Sequence, residues 1–192
     1  HCKTRRQRQM CIRDRSYDID SSEANYLINE RELWFIPVVN PDGYIYNEQI
    51  EPNGGGMHRK NRRDTGCGLG TQRGVDLNRN YGYGWGANDT GSSPDPCSAI
   101  YRGESAFSEP EIEIVKDFIL NRNFKNVLHY HSFGNVYIHP FGDGSYPDYG
   151  DLMIYRGLAQ EMSDLNNFNF GTGYETIGYT VNGCLLYTSD AA

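Results

Sequence analysis

The chain has few cysteines, no long apolar run and none of the closely spaced ligand pairs by which metal sites are usually recognised. Five cysteines in 192 residues are too few for a disulfide-built scaffold, and no CxxC pair marks a structural zinc site. No HxxH or HxxE pattern occurs either. A catalytic zinc needs three protein ligands and an open position, so the residues alone do not display a complete metal centre. No apolar stretch reaches membrane length, which excludes a spanning helix from the visible chain. Internal repeats and low-complexity segments are also missing, and with them the solenoid architectures.

The two ends read as foreign to the rest. Residues 1–15 carry six Lys or Arg and no apolar period, unlike a secretory signal. A basic tail contacting nucleic acid is one reading of such a segment. The strings MCIRDR there and CLLYTSDAA at the other end resemble translated sequencing-adapter scars instead, and such segments are set aside from fold reasoning. Three parts are therefore expected: a non-native segment 1–15, a partial domain 16–183 and a non-native segment 184–192. Setting the ends aside removes six of 18 basic and two of 25 acidic residues, leaving 12 against 23 and a formal charge of −11. That balance argues for solubility and against a nucleic-acid surface. Cys67 and Cys97 are then the remaining cysteines, both in Gly-rich loops. They read as one disulfide formed in an oxidising compartment, or as two buried free thiols.

Among what is present, the stretch Gly74-Val75-Asp76-Leu77-Asn78-Arg79-Asn80 organises the chain. Val75 and Leu77 are spaced for one face of a short strand, with Asp76 and Asn78 opposite. Asn78-Arg79-Asn80 sets a guanidinium between two amides, and forked donors of that kind suit a planar carboxylate. A surface arginine closing a solvated turn is the plainer alternative.

Around this stretch the pattern is α/β. A helix ends near Asn29, with Ala24, Leu27 and Ile28 on its apolar side. Leu33 to Val39 is a continuous apolar run, read as a strand buried on both faces, with Pro37 at a bulge. Asn40-Pro41-Asp42-Gly43 reads as a turn, and Tyr44 to Tyr46 as extended chain. Glu51 to Gly74 is a long loop holding the basic cluster His58–Arg63, a local anion site or a solvated loop. Ser108-Glu109-Pro110-Glu111 reads as a capping box that starts a helix. Phe124 to His131 and Val136 to His139 read as strands, and Asp148 to Asn166 as a second long helix. The fold class expected is α/β, a mixed, mostly parallel central sheet flanked by helices, incomplete in this chain.

His131 closes a predicted strand, where ligands and catalytic groups gather in open α/β sheets, and imidazole is a common zinc ligand. A hydrogen-bonded structural histidine is the commoner use of such a residue. His129 lies two residues earlier on the same face, which raises a two-histidine metal site; packing or support for a site is the plainer reading.

Six segments occur in order: NPDGY (40–44), HRKNRR (58–63), GVDLNRNYGYGWG (74–86), SSPDPCSAIYRG (92–103), FSEPE (107–111) and HSFGN (131–135). Together they resemble the zinc carboxypeptidases of the M14 (funnelin) family, of carboxypeptidase A/T-like type. The likeness runs from about Tyr17 to Gly183. It implies hydrolysis of C-terminal residues from peptides by zinc-activated water, in a secreted protein. It also implies a monomer that takes a peptide or protein C-terminus as substrate, with no nucleic-acid or membrane partner. Zn2+ is the implied cofactor. His131 matches a zinc ligand, Arg59 the arginine that polarises the scissile carbonyl, and Asn78 and Arg79 the pair that binds the C-terminal carboxylate. Tyr179 matches the mobile tyrosine that covers that carboxylate. Asp76 matches an acceptor behind a zinc-bound histidine, and Cys67 and Cys97 fall where relatives place a disulfide.

The chain also departs from the pattern. The upstream His-x-x-Glu that supplies two zinc ligands is not present, and the general-base glutamate would lie beyond Gly183. Phe133 stands where many relatives have Tyr. The chain as given is therefore expected to hold zinc weakly and to be inactive. Its alternatives are a catalytically dead relative that binds peptide C-termini, or one acting on cell-wall or γ-linked amides.

Overall fold

The computed structural model describes residues 22–132 and 134–184, which fall into two compact units divided after Val39. In the first, helix α1 (Ser22–Glu30) is followed by the apolar run 33–39, which forms no strand. Trp34 and Phe35 are 47% and 57% exposed, so the expected strand buried on both faces is not found. A strand of that kind needs neighbours to complete its hydrogen bonds, and the described residues of this unit supply none.

The second unit carries the remaining elements: α2 (Pro41–Ile50), α3 (Pro110–Leu120), β1 (Val136–Ile138), α4 (Tyr149–Asp164), β2 (Asn169–Gly171) and α5 (Gly173–Ile177). Strands β1 and β2 pair in parallel, Val136 beside Asn169 and Ile138 beside Gly171, with α4 as the crossover between them. The architecture is thus mixed helix and strand around a short parallel sheet. Asn40-Pro41-Asp42-Gly43 is not a turn, and Tyr44 to Tyr46 are helical rather than extended. Asn40 is the N-cap of α2, its side chain accepting from the Gly43 amide at 2.9 Å, and Pro41 begins the helix. Proline in a first helical turn after an asparagine cap is as good a helix start as a turn signal.

Val75 and Leu77 are buried as expected, but the strand shortens to an isolated bridge. Asp76 pairs antiparallel with Lys60, and its amide donates to Tyr101 O at 2.8 Å. Residues Leu77–Arg79 then turn as one 3-10 turn capped by the Asp76 side chain. Helix α3 begins where expected and buries Ile112 and Val115, yet its N-cap is Glu109 with no side-chain cap bond. A reciprocal capping box forms instead at α5, between Thr172 and Glu175. Phe124 to His131 contains no strand, and its residues are largely exposed.

The interior here is polar as much as apolar. Lys60 is 1% exposed, and its ammonium donates to Gln72 O, Pro96 O and Ser98 O at 2.5, 3.0 and 2.8 Å. Desolvation lowers its pKa, while Asp76 and Asp95 act in the opposite sense. The same two loops are joined by the Cys67–Cys97 disulfide, Cα to Cα 5.3 Å.

Candidate active site

Segment 58–63 turns three side chains inward and one outward. His58, Lys60 and Asn61 are buried, whereas the Arg59 side chain is half exposed and reaches Asp76 Oδ2 through Nε at 3.3 Å. The segment is fixed on both sides. Asn47 of α2 donates to His58 O at 2.7 Å and accepts from His58 N at 2.9 Å, and Asn40 Nδ2 donates to Lys60 O at 3.0 Å. On the other side, Asn61 Oδ1 accepts the Val75 amide at 2.8 Å, and Asn61 Nδ2 donates to Glu109 Oε2 at 2.7 Å. Gly74, at φ 103, lies so close to the Asn61 carbonyl that a Cβ would overlap it.

Asp76 lies beneath Arg59. Its Oδ1 accepts the Asn78 amide at 3.1 Å, while the buried Oδ2 has no hydrogen-bond partner among the described residues. Burial raises its pKa, and Arg79, Arg59, the Asn78 amide and His131 pull it back down. His131 feels the same group. Desolvation lowers its pKa, Asp76 raises it, and Arg79 and Arg59 lower it. His129 is pushed down by desolvation and by His131. Neutral imidazole is therefore favoured at both histidines at neutral pH. Arg59, Asp76, Asn78, Arg79 and His131 thus share one electrostatic neighbourhood.

The two asparagines flanking Arg79 are used differently. Arg79 is 4% exposed; its Nε donates to Gly91 O at 2.6 Å and its Nη1 to Asn78 O at 2.7 Å. Asn78 Oδ1 meets Cys184 Sγ at 3.2 Å. Asn80 is bonded to protein groups alone among the contacts described. It is fully buried, donates to Arg102 O, Ser105 O and Ser108 Oγ at 2.8 to 3.0 Å, and accepts the Glu109 amide. Tyr179 is 51% exposed and follows the C-cap glycine of α5. Phe133 lies outside the described residues.

Glu109 was not singled out by the sequence, where FSEPE reads as a helix start and as one of the six ordered segments. It is fully buried and accepts from Arg63 Nη1 at 2.8 Å, Ser108 Oγ at 2.7 Å and Asn61 Nδ2 at 2.7 Å. A glutamate beside the proline of a helix start, with no cap to make, was the available signal.

As a metal centre the described set is incomplete. Among the described residues no group of three His, Cys, Asp or Glu is arranged to hold a metal ion. His131 offers one imidazole. No helix among the described residues is long and apolar enough to cross a membrane.

Two arginines, Arg59 and Arg79, thus act on one buried carboxylate, Asp76. The family model "Zinc carboxypeptidase" matches residues 14–188, and the chain belongs to that family. The carboxypeptidase B of Astacus astacus is 36% identical over 167 residues, covering 84% of this chain and 52% of that protein. The crystal structure of thrombin activatable fibrinolysis inhibitor superposes with a TM-score of 0.68 at 29% identity, covering 88% of this chain and 44% of that one. An inactive metallocarboxypeptidase of Arthroderma otae is 34% identical over 128 residues, covering 64% of this chain and 20% of that protein. The chain thus spans about half of the Astacus astacus protein's length and less than half of the other two.

Proposed function

We propose that this chain is the substrate-gripping part of a secreted, monomeric metallocarboxypeptidase that removes C-terminal residues from peptides. The observation that carries this is the shared neighbourhood of Arg59, Asp76, Arg79 and His131: both arginines act on the carboxyl of Asp76 and on the imidazole of His131, and Arg59 Nε lies 3.3 Å from Asp76 Oδ2. In this reading Asn78 and Arg79 bind the C-terminal carboxylate through charge-assisted hydrogen bonds, and Tyr179 closes over it. Arg59, steadied on Asp76, stabilises charge developing on the scissile carbonyl oxygen. His131 is one zinc ligand, and Asp76 orients another histidine. The remaining ligands and the general base lie outside the described residues, so the chain alone is expected to lose zinc on dialysis. Stable one-to-one zinc would contradict that expectation.

The test of the reading uses the longer polypeptide loaded with zinc. Acyl dipeptides with a free carboxylate are expected to be cleaved and their C-terminal amides spared. Arg79→Ala should lower kcat/KM by about a hundredfold, the range expected when a desolvated charge pair loses one member. Equal cleavage of acid and amide by the wild type would sink the proposal. The likeness to an inactive relative supports a second reading, a module that binds peptide C-termini without turnover. The same assay separates the two, since such a module would bind the acids and release no amino acid.

A further inference from the structure

The loop 87–92 carries a short motif that the candidate active site does not use. Asn88-Asp89-Thr90 is the pattern Asn-x-Thr with no proline between, and no other asparagine of the chain has Ser or Thr two positions on. In a secreted protein this pattern is the acceptor for an asparagine-linked sugar, provided that it lies on a surface loop. Asn88, Asp89 and Thr90 are all exposed.

The use made of each Asn88 atom decides whether the folded chain can carry a sugar there. Its Oδ1 accepts the Thr90 amide at 2.9 Å and Asn182 Nδ2 at 3.1 Å. Its backbone carbonyl accepts from Asn182 Nδ2 at 3.0 Å and from Arg102 Nη1 at 3.2 Å. Asn88 Nδ2 and the Thr90 hydroxyl, in contrast, make no hydrogen bond among the described residues. The atom to be modified is the one that the loop does not need. Asn47, Asn61 and Asn80 show the opposite arrangement: each spends Nδ2 on a distant carbonyl or carboxylate, and a sugar there would break a tie between loops. The Cys67–Cys97 disulfide points to the same compartment as the motif does, because such bridges form and persist in the oxidising space through which secreted chains pass.

We propose that Asn88 is an N-glycosylation site, a modification that rests on the secreted character inferred above. The donor is an oligosaccharide joined through its anomeric carbon to a polyprenyl diphosphate. Asn88 Nδ2 attacks that carbon and a carbon–nitrogen bond forms. The bond from the anomeric carbon to the diphosphate oxygen breaks, the polyprenyl diphosphate leaves with the electron pair, and Nδ2 gives up one proton. Nothing is oxidised or reduced. The contacts of Oδ1 and of the Asn88 carbonyl survive the reaction, so the loop keeps its shape and Gly91 O stays on Arg79 Nε at 2.6 Å.

The experiment joins a cleavable secretory leader to the whole chain and expresses it in cultured insect cells. Protein from the medium and from the secretory lumen is digested and read by peptide mass spectrometry, before and after peptide N-glycosidase. The wild type should yield a sugar-bearing peptide that the enzyme converts to one with aspartate at position 88. Asn88→Gln and Thr90→Ala should both lose the sugar completely, whereas Thr90→Ser, which keeps the motif, should retain it. Thr90→Ala leaves every bond of the Asn88 side chain in place, so its loss assigns the effect to the motif and not to a damaged loop. An unmodified Asn88 in the wild type, or a sugar that persists in Asn88→Gln, overturns the proposal. The foreign leader makes this result independent of how the protein is exported in nature. Export is tested separately: the longer polypeptide, expressed with its own N-terminus, should reach the medium, and retention in the cytosol would sink the secreted assignment alone.

Discussion

Segments 58–63 and 124–131 belong to the same compact unit and both lack regular secondary structure, yet they are held in opposite ways. In the first, nearly every polar group has a partner: His58 on Asn47, Lys60 on three carbonyls, Asn61 on Val75 and Glu109, Arg63 on Glu109. In the second, Leu128 and Tyr130 are 60% and 65% exposed, and no backbone ladder is formed. Local order in this chain follows from the satisfaction of buried polar groups by residues far away in sequence. Apolar character alone does not produce it, because a strand needs a neighbour to hydrogen-bond and a layer to bury against.

The largest test of that contrast is Glu109→Ala. It strips a buried charge from Arg63, Ser108 and Asn61 at once, and should cost about 3–5 kcal/mol in urea unfolding. A loss under about 1 kcal/mol would show that the polar block is decoration on an apolar core.

A smaller effect is expected at Glu175. The Thr172 amide, opposed by desolvation and aided by Tyr146 and Arg156, holds this carboxyl below its ordinary value. A carboxylate depressed in the folded state stabilises above its unfolded pKa, and loses that contribution as pH falls through the folded pKa. Its side chain is about a third exposed, so Glu175→Gln should cost no more than about 1 kcal/mol at pH 7. In urea melts repeated at decreasing pH the difference from wild type should vanish in acid. A cost independent of pH would assign the effect to cap geometry and not to charge. The smallest effect belongs to the other region: Leu128→Asn should change stability by less than about 0.5 kcal/mol. A loss of several kcal/mol in the same melts would mean that 124–131 is held as firmly as 58–63.

How much of this was legible follows from the range of the interactions. Helices α3 and α4 and strand β1 were readable because spacing is a local property. The Cys67–Cys97 bridge was readable as one of two options from the loops, and the family likeness favoured it. Helix α2 was missed because Asn-Pro serves turns and helix starts alike, and the choice fell to Asn40 capping Gly43 while reaching Lys60. The three-residue strand β2 has too little sequence for a period. Within the site, Arg59, Asn78, Arg79 and His131 were singled out by ordered motifs. The bonds by which Asn61, Asn80 and Glu109 hold the surrounding loops were invisible because their partners lie dozens of residues away. The bond from Asn61 to Glu109 crosses 48 positions, and no periodicity reports on it.

The ammonium of Lys60 has a consequence for how the protein tolerates chemical change. It occupies the space between Gln72 and Pro96–Ser98 as a bound potassium ion would, with carbonyl oxygens for a shell and a covalent leash to the chain. The Cys67–Cys97 bridge joins the same two loops through sulfur. Reduction breaks the bridge, whereas loss of a proton weakens the lysine's hold, so a reducing agent acts on the first and not on the second. The loop carrying Arg59 is therefore fault-tolerant: a reducing agent that severs the bridge still leaves the lysine stud in its socket.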